Sequence, residues 1–258
     1  MNLFKKLYQY RELLKTNVKK DIRGKYKGSF LGVLWSFVNP LLQVLVYAIV
    51  FPYIMRIQMD NYLIFLICGI IPWTWFITCV SQGTTCITLN SNLIKKVYFP
   101  REILPISIVT SSLVNFLISC FIILIFVLLG GLGLSWHLVF LPFIVIIQYI
   151  LSLAVIFVLC AINVYIKDIE YIIAFLINMM FYATPILYSY KMFEETKLIW
   201  LFKLNPFAHL INAYRDIFYV HAIPNLTNLS ILFGISLTLI VIGWLIFNKL
   251  EKGFAEEV

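Results

Sequence analysis

ILPISIVTSSLVNFLISCFIILIFVLL, residues Ile103–Leu129, carries no charged side chain and decides which solvent this chain folds in. Wound as a helix it would be ~40 Å long, enough to cross a hydrocarbon core of ~30 Å. Working outward from it, five further apolar runs stand at Leu31–Met55, Tyr62–Thr88, Leu138–Ile166, Ile169–Tyr188 and Leu229–Phe247. The chain as a whole is 62% hydrophobic and only 12% charged, against about 25% charged in an ordinary soluble domain. A chain of 258 residues cannot hide that much apolar surface in one water-soluble core. Disorder, collagen and a disulfide scaffold are excluded by the same composition. The fold expected is therefore an all-α membrane protein with six transmembrane helices. Pro72, Pro142 and Pro185 are expected to kink or break theirs.

The net charge of +8 is informative through its placement. Lys5, Lys6, Arg11, Lys15, Lys19, Lys20, Arg23, Lys25 and Lys27 all precede the first apolar run. Lys95, Lys96 and Arg101 follow the second, Lys167 follows the fourth, and Lys249 and Lys252 follow the last. With six spans these segments share one side, leaving only Arg56, Lys191, Lys197, Lys203 and Arg215 on the other. The basic side is cytoplasmic, so both termini are expected in the cytoplasm, with the chain multi-pass in a cytoplasmic membrane. Anionic headgroups, not nucleic acid, are the expected partner of the basic N-terminus. No cleaved signal peptide is expected, since the first apolar run is too long for one.

Two stretches outside the spans have their own pattern. In residues 1–20, Leu3, Leu7, Tyr10, Leu14 and Val18 share one arc of a helix, while lysines, Gln9 and Glu12 cover most of the rest; Leu13 and Tyr8 break the pattern. That is an amphipathic helix in the cytoplasmic interface, or one packed on a soluble partner. Residues 189–228 are too charged to span and too apolar for an ordinary loop. Asn205-Pro206 is a helix start, with Asn as N-cap and Pro at the first helical position. Phe207, Leu210, Ile211, Tyr214, Ile217 and Phe218 follow on one face. Such a short helix dips into the outer leaflet or lies on it, paired with a helix over Thr196–Leu204, with Arg215 and Asp216 directed to headgroups or an exit path.

The chemistry of an enzyme is not gathered anywhere. His137, His209 and His221 are scattered, and no HExxH, GxSxG or GxxxxGK[ST] pattern occurs. ATP is therefore not expected to bind here through a P-loop. Cys68, Cys79, Cys86, Cys120 and Cys160 lie in or beside apolar runs without metal spacing, and read as buried hydrophobes. The span interiors lack the ionisable residues typical of an ion-coupled carrier. They hold neutral polar groups and rings instead: Asn39, Gln43, Tyr47, Ser81, Gln82, Asn115, Gln148, Asn163, Asn178 and Tyr182.

Tyr26-Lys27-Gly28-Ser29-Phe30-Leu31-Gly32-Val33-Leu34-Trp35, followed by Asn39-Pro40, resembles the opening of the permease subunits of type-2 ABC exporters, which move polysaccharides and polyol phosphates such as O-antigen and teichoic acid out of bacteria. The likeness continues through the amphipathic N-terminus, six spans, a basic loop after the second span, and Asn205-Pro206-Phe207 with Tyr214-Arg215. It implies one transmembrane permease domain over 1–258. Residues 1–27 form the interface segment, 31–188 the first five spans, 189–228 a re-entrant outer gate with short helices, 229–247 the last span and 248–258 a cytoplasmic tail.

The resemblance also implies roles. Ser91–Pro105 would couple to an ATPase through Lys95, Lys96, Tyr98, Phe99, Pro100, Arg101 and Glu102, with Lys167 and Asp168 as a shorter second contact; read alone, the first loop could equally be a topology signal. Asn205, Pro206, Phe207, Tyr214 and Arg215 would form the outer gate. Tyr47, Trp73, Trp75, Tyr182 and Tyr188 are candidates to line a sugar channel. The implied assembly is a homodimer with two ATPase subunits, cargo being a lipid-linked glycan. ATP and Mg would sit on the partner, leaving no cofactor or metal on this chain. A type-2 exporter of a drug or small lipid, and a membrane-embedded enzyme or scaffold, are the alternatives.

Overall fold

The structure, a computed structural model, describes residues 8–24, 34–55, 59–189, 196 and 199–257. The expectations placed on Leu3, Leu7, Gly28 and Gly32 lie outside the described residues. Among the described residues every regular element is helical. Helix α1 covers Arg11–Gly24, α2 Trp35–Met55, α3 Tyr62–Thr84, α4 Cys86–Leu89, α5 Ser91–Lys96 and α6 Ile103–Leu129. Then come α7 (Leu141–Tyr165), entered through a 3₁₀ turn at Trp136–Phe140, and α8 (Ile169–Ala183). Two short helices follow, α9 (Ile199–Leu204) and α10 (Pro206–Arg215), the latter prolonged by a π-helical stretch Asp216–Val220. Finally α11 (Leu226–Leu250) leads through Glu251–Gly253 into α12 (Phe254–Glu257).

All six apolar runs form helices, and four of them (α3, α6, α7 with its entry turn, and α11) have the length and apolarity to cross a bilayer. The apolar stretches of α2, Val38–Pro52, and of α8 are shorter. The 15 residues of α8 reach roughly 22 Å as a helix. The three prolines act differently. Pro142 stands at the start of α7, where its missing N–H costs nothing. Pro72 is carried inside α3, and Pro185 follows the end of α8.

Helix α3 is the hub, with α2, α6, α7, α8 and α10 packed around it. Leu66, Ile67, Ile70 and Trp73 on it are buried on every side, as befits a helix hydrophobic all round. Helix α11 instead lies along α7 alone over most of its length. Gly243 lets the backbones meet: a Cβ there would stand 2.7 Å from the Ala154 carbonyl oxygen, the close approach that small residues give membrane helices. Its remaining surface, with Ile231, Ile235, Val241, Ile242 and Leu245 exposed, is suited to lipid. Several polar side chains inside the bundle return hydrogen bonds to backbone: Gln148 Nε2 to Pro72 O at 2.8 Å, Thr84 Oγ1 to Val80 O at 2.8 Å and Ser236 Oγ to Leu232 O at 2.8 Å. In a medium without water such donors are best satisfied inside the protein.

Helix α1 packs on α6, with Tyr10, Leu13 and Leu14 against the core and Arg11, Glu12, Lys15, Lys19 and Lys20 exposed. Leu13, off the expected arc, is drawn in because α6 covers a wider strip. Lys15 Nζ donates to Glu12 Oε1 at 2.9 Å and holds that carboxyl below its ordinary pKa; burial pushes Asp21 upward.

Candidate functional site

Three regions carry the residues singled out in the sequence. The first comprises the exposed faces of α2 and α8, helices that meet through Tyr47 and Phe181. Asn39 and Gln43 are exposed and Tyr47 is half-buried. Spaced four apart, they form one stripe along α2, tied by Gln43 Nε2 donating to Tyr47 Oη at 3.2 Å. On α8, Tyr171, Phe175, Asn178 and Tyr182 are all exposed and recur at i, i+4, i+7 and i+11, again one stripe. The Tyr47 ring lies 6.1 Å from that of Phe181, so α8 stands on the side of α2 that bears its stripe. The other flanks, Leu42, Leu45 and Ile49 on α2 and Ile172, Leu176 and Met179 on α8, are apolar.

The five sequence candidates for channel lining divide accordingly. Tyr47 and Tyr182 belong to the open face. Tyr188 is half-buried, its hydroxyl donating to the Tyr182 carbonyl at 2.5 Å. Trp73 and Trp75 are inside the chain's own packing. Trp73 rests against Phe76 (5.6 Å) and Phe207 (5.7 Å), and Trp75 stacks on Phe116 at 4.5 Å. Neither ring has a free face. Tyr171 and Phe175 were not singled out from the sequence; their spacing to Asn178 and Tyr182 was the signal that could have found them.

The second region is the outer segment. Asn205 caps α10 as its sequence requires, its side chain accepting from Phe207 N at 2.9 Å, with Pro206 at the first helical position. Phe207, Ile211 and Tyr214 are buried. Phe207 is wedged between Trp73 and Phe76 (3.9 Å), and Tyr214 sits edge-on to Phe116 at 5.8 Å. The apolar face of α10 therefore meets α3 and its neighbours. Asn212 lines an open outer recess of about 490 Å³. Arg215 lines the same recess but, at 4% exposed, does not reach for headgroups, which corrects that half of its expectation. Its guanidinium lies 3.5 Å from the centre of the Phe65 ring and donates to Pro185 O at 2.5 Å, Ile186 O at 2.6 Å and Phe65 O at 3.4 Å. These carbonyls and the ring hold a cation that water would otherwise solvate.

The third region surrounds the loop between α5 and α6. Lys95, Lys96 and Tyr98 are exposed, Tyr98 almost completely at 94%, whereas Phe99 and Glu102 are buried and Pro100 is half-buried. Arg101, half-exposed, donates to the Glu251 carbonyl and lies over Phe254 at 5.8 Å. Phe254 is fully buried, edge-on to Phe247 at 5.5 Å and 6.3 Å from Tyr165. Tyr165 Oη donates to Leu250 O at 2.8 Å. Lys167 and Asp168, just beyond, are exposed. The C-terminal tail thus links the loop after α3 to the end of α7, which the sequence reading treated as separate contacts. A lone phenylalanine among charges in that tail was the only signal.

A multi-pass membrane chain with an uncharged polar face on two apolar helices, and exposed basic and aromatic side chains around one loop, is built as the membrane component of a transporter. The chain belongs to the ABC-2 type transporter family, whose pattern matches residues 12–219; that family works with an ABC ATPase partner. The chain is 37% identical, over its whole length and that of the relative, to the O-antigen export system permease protein RfbA of Myxococcus xanthus. It is 38% and 36% identical to two proteins of that name from Klebsiella pneumoniae, each alignment covering 95% of this chain and 94% of the relative. These relatives are permeases, in keeping with a transport component rather than an enzyme.

Proposed function

We propose that this chain is the permease of an ATP-driven exporter that moves a lipid-linked polysaccharide, of the O-antigen or teichoic-acid kind, across the bacterial cytoplasmic membrane. The observation that carries the reading is the open face of α2 and α8. Amides such as Asn39, Gln43 and Asn178 are costly against lipid, so this face borders a wet path. Sugar rings match it: their C–H faces stack on Tyr171, Phe175 and Tyr182, while their hydroxyls exchange hydrogen bonds with neutral amides. With no fixed charge, the wall holds such a chain loosely enough to let it slide. The names of the relatives support this class of cargo.

One chain supplies only part of such a wall, and a second copy facing it completes the path. The assembly is then a homodimer, each chain crossing six times with α2 and α8 included, and both termini on the cytoplasmic side. Two ATPase subunits bind ATP and Mg; this chain holds no cofactor or metal. The platform of Lys95, Lys96 and Tyr98, with Lys167 and Asp168 nearby, receives their motion, and the outer segment from Asn205 to Arg215 forms the exit. The lipid anchor travels in the bilayer as the glycan passes between the copies. Deleting the gene is expected to leave lipid-linked glycan at the cytoplasmic face, restored to export by the intact chain. Normal glycan export with altered traffic of a drug or small lipid would replace this reading with the small-cargo one.

A further inference from the structure

We propose that Arg215 is a positioning residue that sets where the α8 wall of the path stands. The proposal rests on the reading of α8 as a wall. Only Ile177 and Phe181 of α8 are buried, so the helix is weakly held along its length and depends on its ends. At its outer end Pro185 cannot continue the helix, and Thr184–Leu187 is unwound yet buried. Buried irregular backbone at membrane depth stands only where its polar groups are satisfied by protein.

Here every carbonyl from Ala183 to Leu187 receives a donor. Asn205 Nδ2 reaches Ala183 O at 3.3 Å, Ile186 N reaches Thr184 O at 2.7 Å and Tyr62 Oη reaches Leu187 O at 2.7 Å. Arg215 supplies the two in the middle, Pro185 O and Ile186 O. Asn205 also donates to Thr184 Oγ1 at 2.9 Å, so α10 grips the end of α8 from both of its own ends. The seat for the guanidinium is cut to size on α3: a Cβ on Gly69 would lie 3.0 Å from Arg215 Nη2 and 3.3 Å from Ile186 O. A planar fork can bond two successive carbonyls while stacking on Phe65; a lysine ammonium cannot do both. Tyr182, the last residue of the α8 stripe, precedes this gripped segment by one residue.

The test uses the full chain with its ATPase in native membranes, carrying Leu187→Cys. Leu187 is buried, and so are the five native cysteines, which makes labelling by a membrane-impermeant maleimide slow at the start. Adding Arg215→Lys is expected to raise labelling at position 187 at least tenfold, and Gly69→Ala, which keeps every donor, to raise it several-fold. ATP hydrolysed per glycan exported should rise several-fold in both at unchanged yield of assembled complex, whereas a purely structural defect would lower hydrolysis and export together. Unchanged labelling in Gly69→Ala overturns the proposal even where Arg215→Lys fails to insert. Raised labelling with unchanged cost per glycan overturns the positioning role and leaves the glycan reading standing. That reading fails separately, when a deletion strain accumulates no lipid-linked glycan.

Discussion

At the outer end of the molecule Arg215 is buried among Phe65, Pro185 and Ile186 and fastens the unwound end of α8. At the opposite end of the bundle Arg101, half-exposed, donates to the Glu251 carbonyl and lies over Phe254. Both cations hold main-chain carbonyls where a helix stops, and both pair with an aromatic face. What differs is the solvent. A buried cation and its carbonyls have no water to fall back on, so every partner is obligatory; at the rim, water can replace a lost bond. The buried end is built to keep one geometry, whereas the half-exposed end can exchange a lost bond for water.

The largest effect expected from this contrast is that of Arg215→Met. Stranding two buried carbonyls at ~1–3 kcal/mol each, with loss of the ring contact, should cost on the order of 4 kcal/mol, read as a steep fall in the thermal midpoint of the purified complex. Phe254→Ala comes next. It empties a fully buried site and should cost about 3 kcal/mol, with faster amide exchange over 250–257 and no change in the outer segment. Arg101→Met should cost only about 1 kcal/mol. A midpoint lowered as far as by Arg215→Met would erase the contrast. Smallest in stability is Lys95→Glu with Lys96→Glu and Tyr98→Ala. These exposed side chains should move stability by no more than ~0.5 kcal/mol, yet cargo-dependent ATP hydrolysis should be lost. Arg101 does not belong in such a set, because changing it also loosens the C-terminal tail.

The apolar helices were legible because absence of charge is a property of sequence alone, although only four of the six reach spanning length: Ile103–Leu129 matches α6 end to end. Asn205-Pro206 was legible because capping is local. Arg215 was not. In sequence it counts as one more basic residue on the outer side, and the groups that claim it are carbonyls of Pro185 and Ile186, which have no side-chain signature. The same reason hid Arg101 and Glu251. Trp73 and Trp75 were offered as channel rings since sequence shows that a span is aromatic but not which side of it faces its neighbours. Burial on α3, the hub, took them away. Tyr47 and Tyr182 kept open faces because α2 and α8 lie at the edge of the bundle.

The central claim, that a glycan slides along the face shared by α2 and α8, is tested most directly by photocross-linking during export. A benzophenone side chain in place of Tyr182 or Gln43 should capture labelled glycan in an ATP-dependent way. The same group in place of Leu176 or Leu45, on the apolar flanks of the same two helices, should capture lipid or protein and no glycan. Equal capture of glycan at both pairs of positions, or capture only at Leu176 and Leu45, would contradict the account.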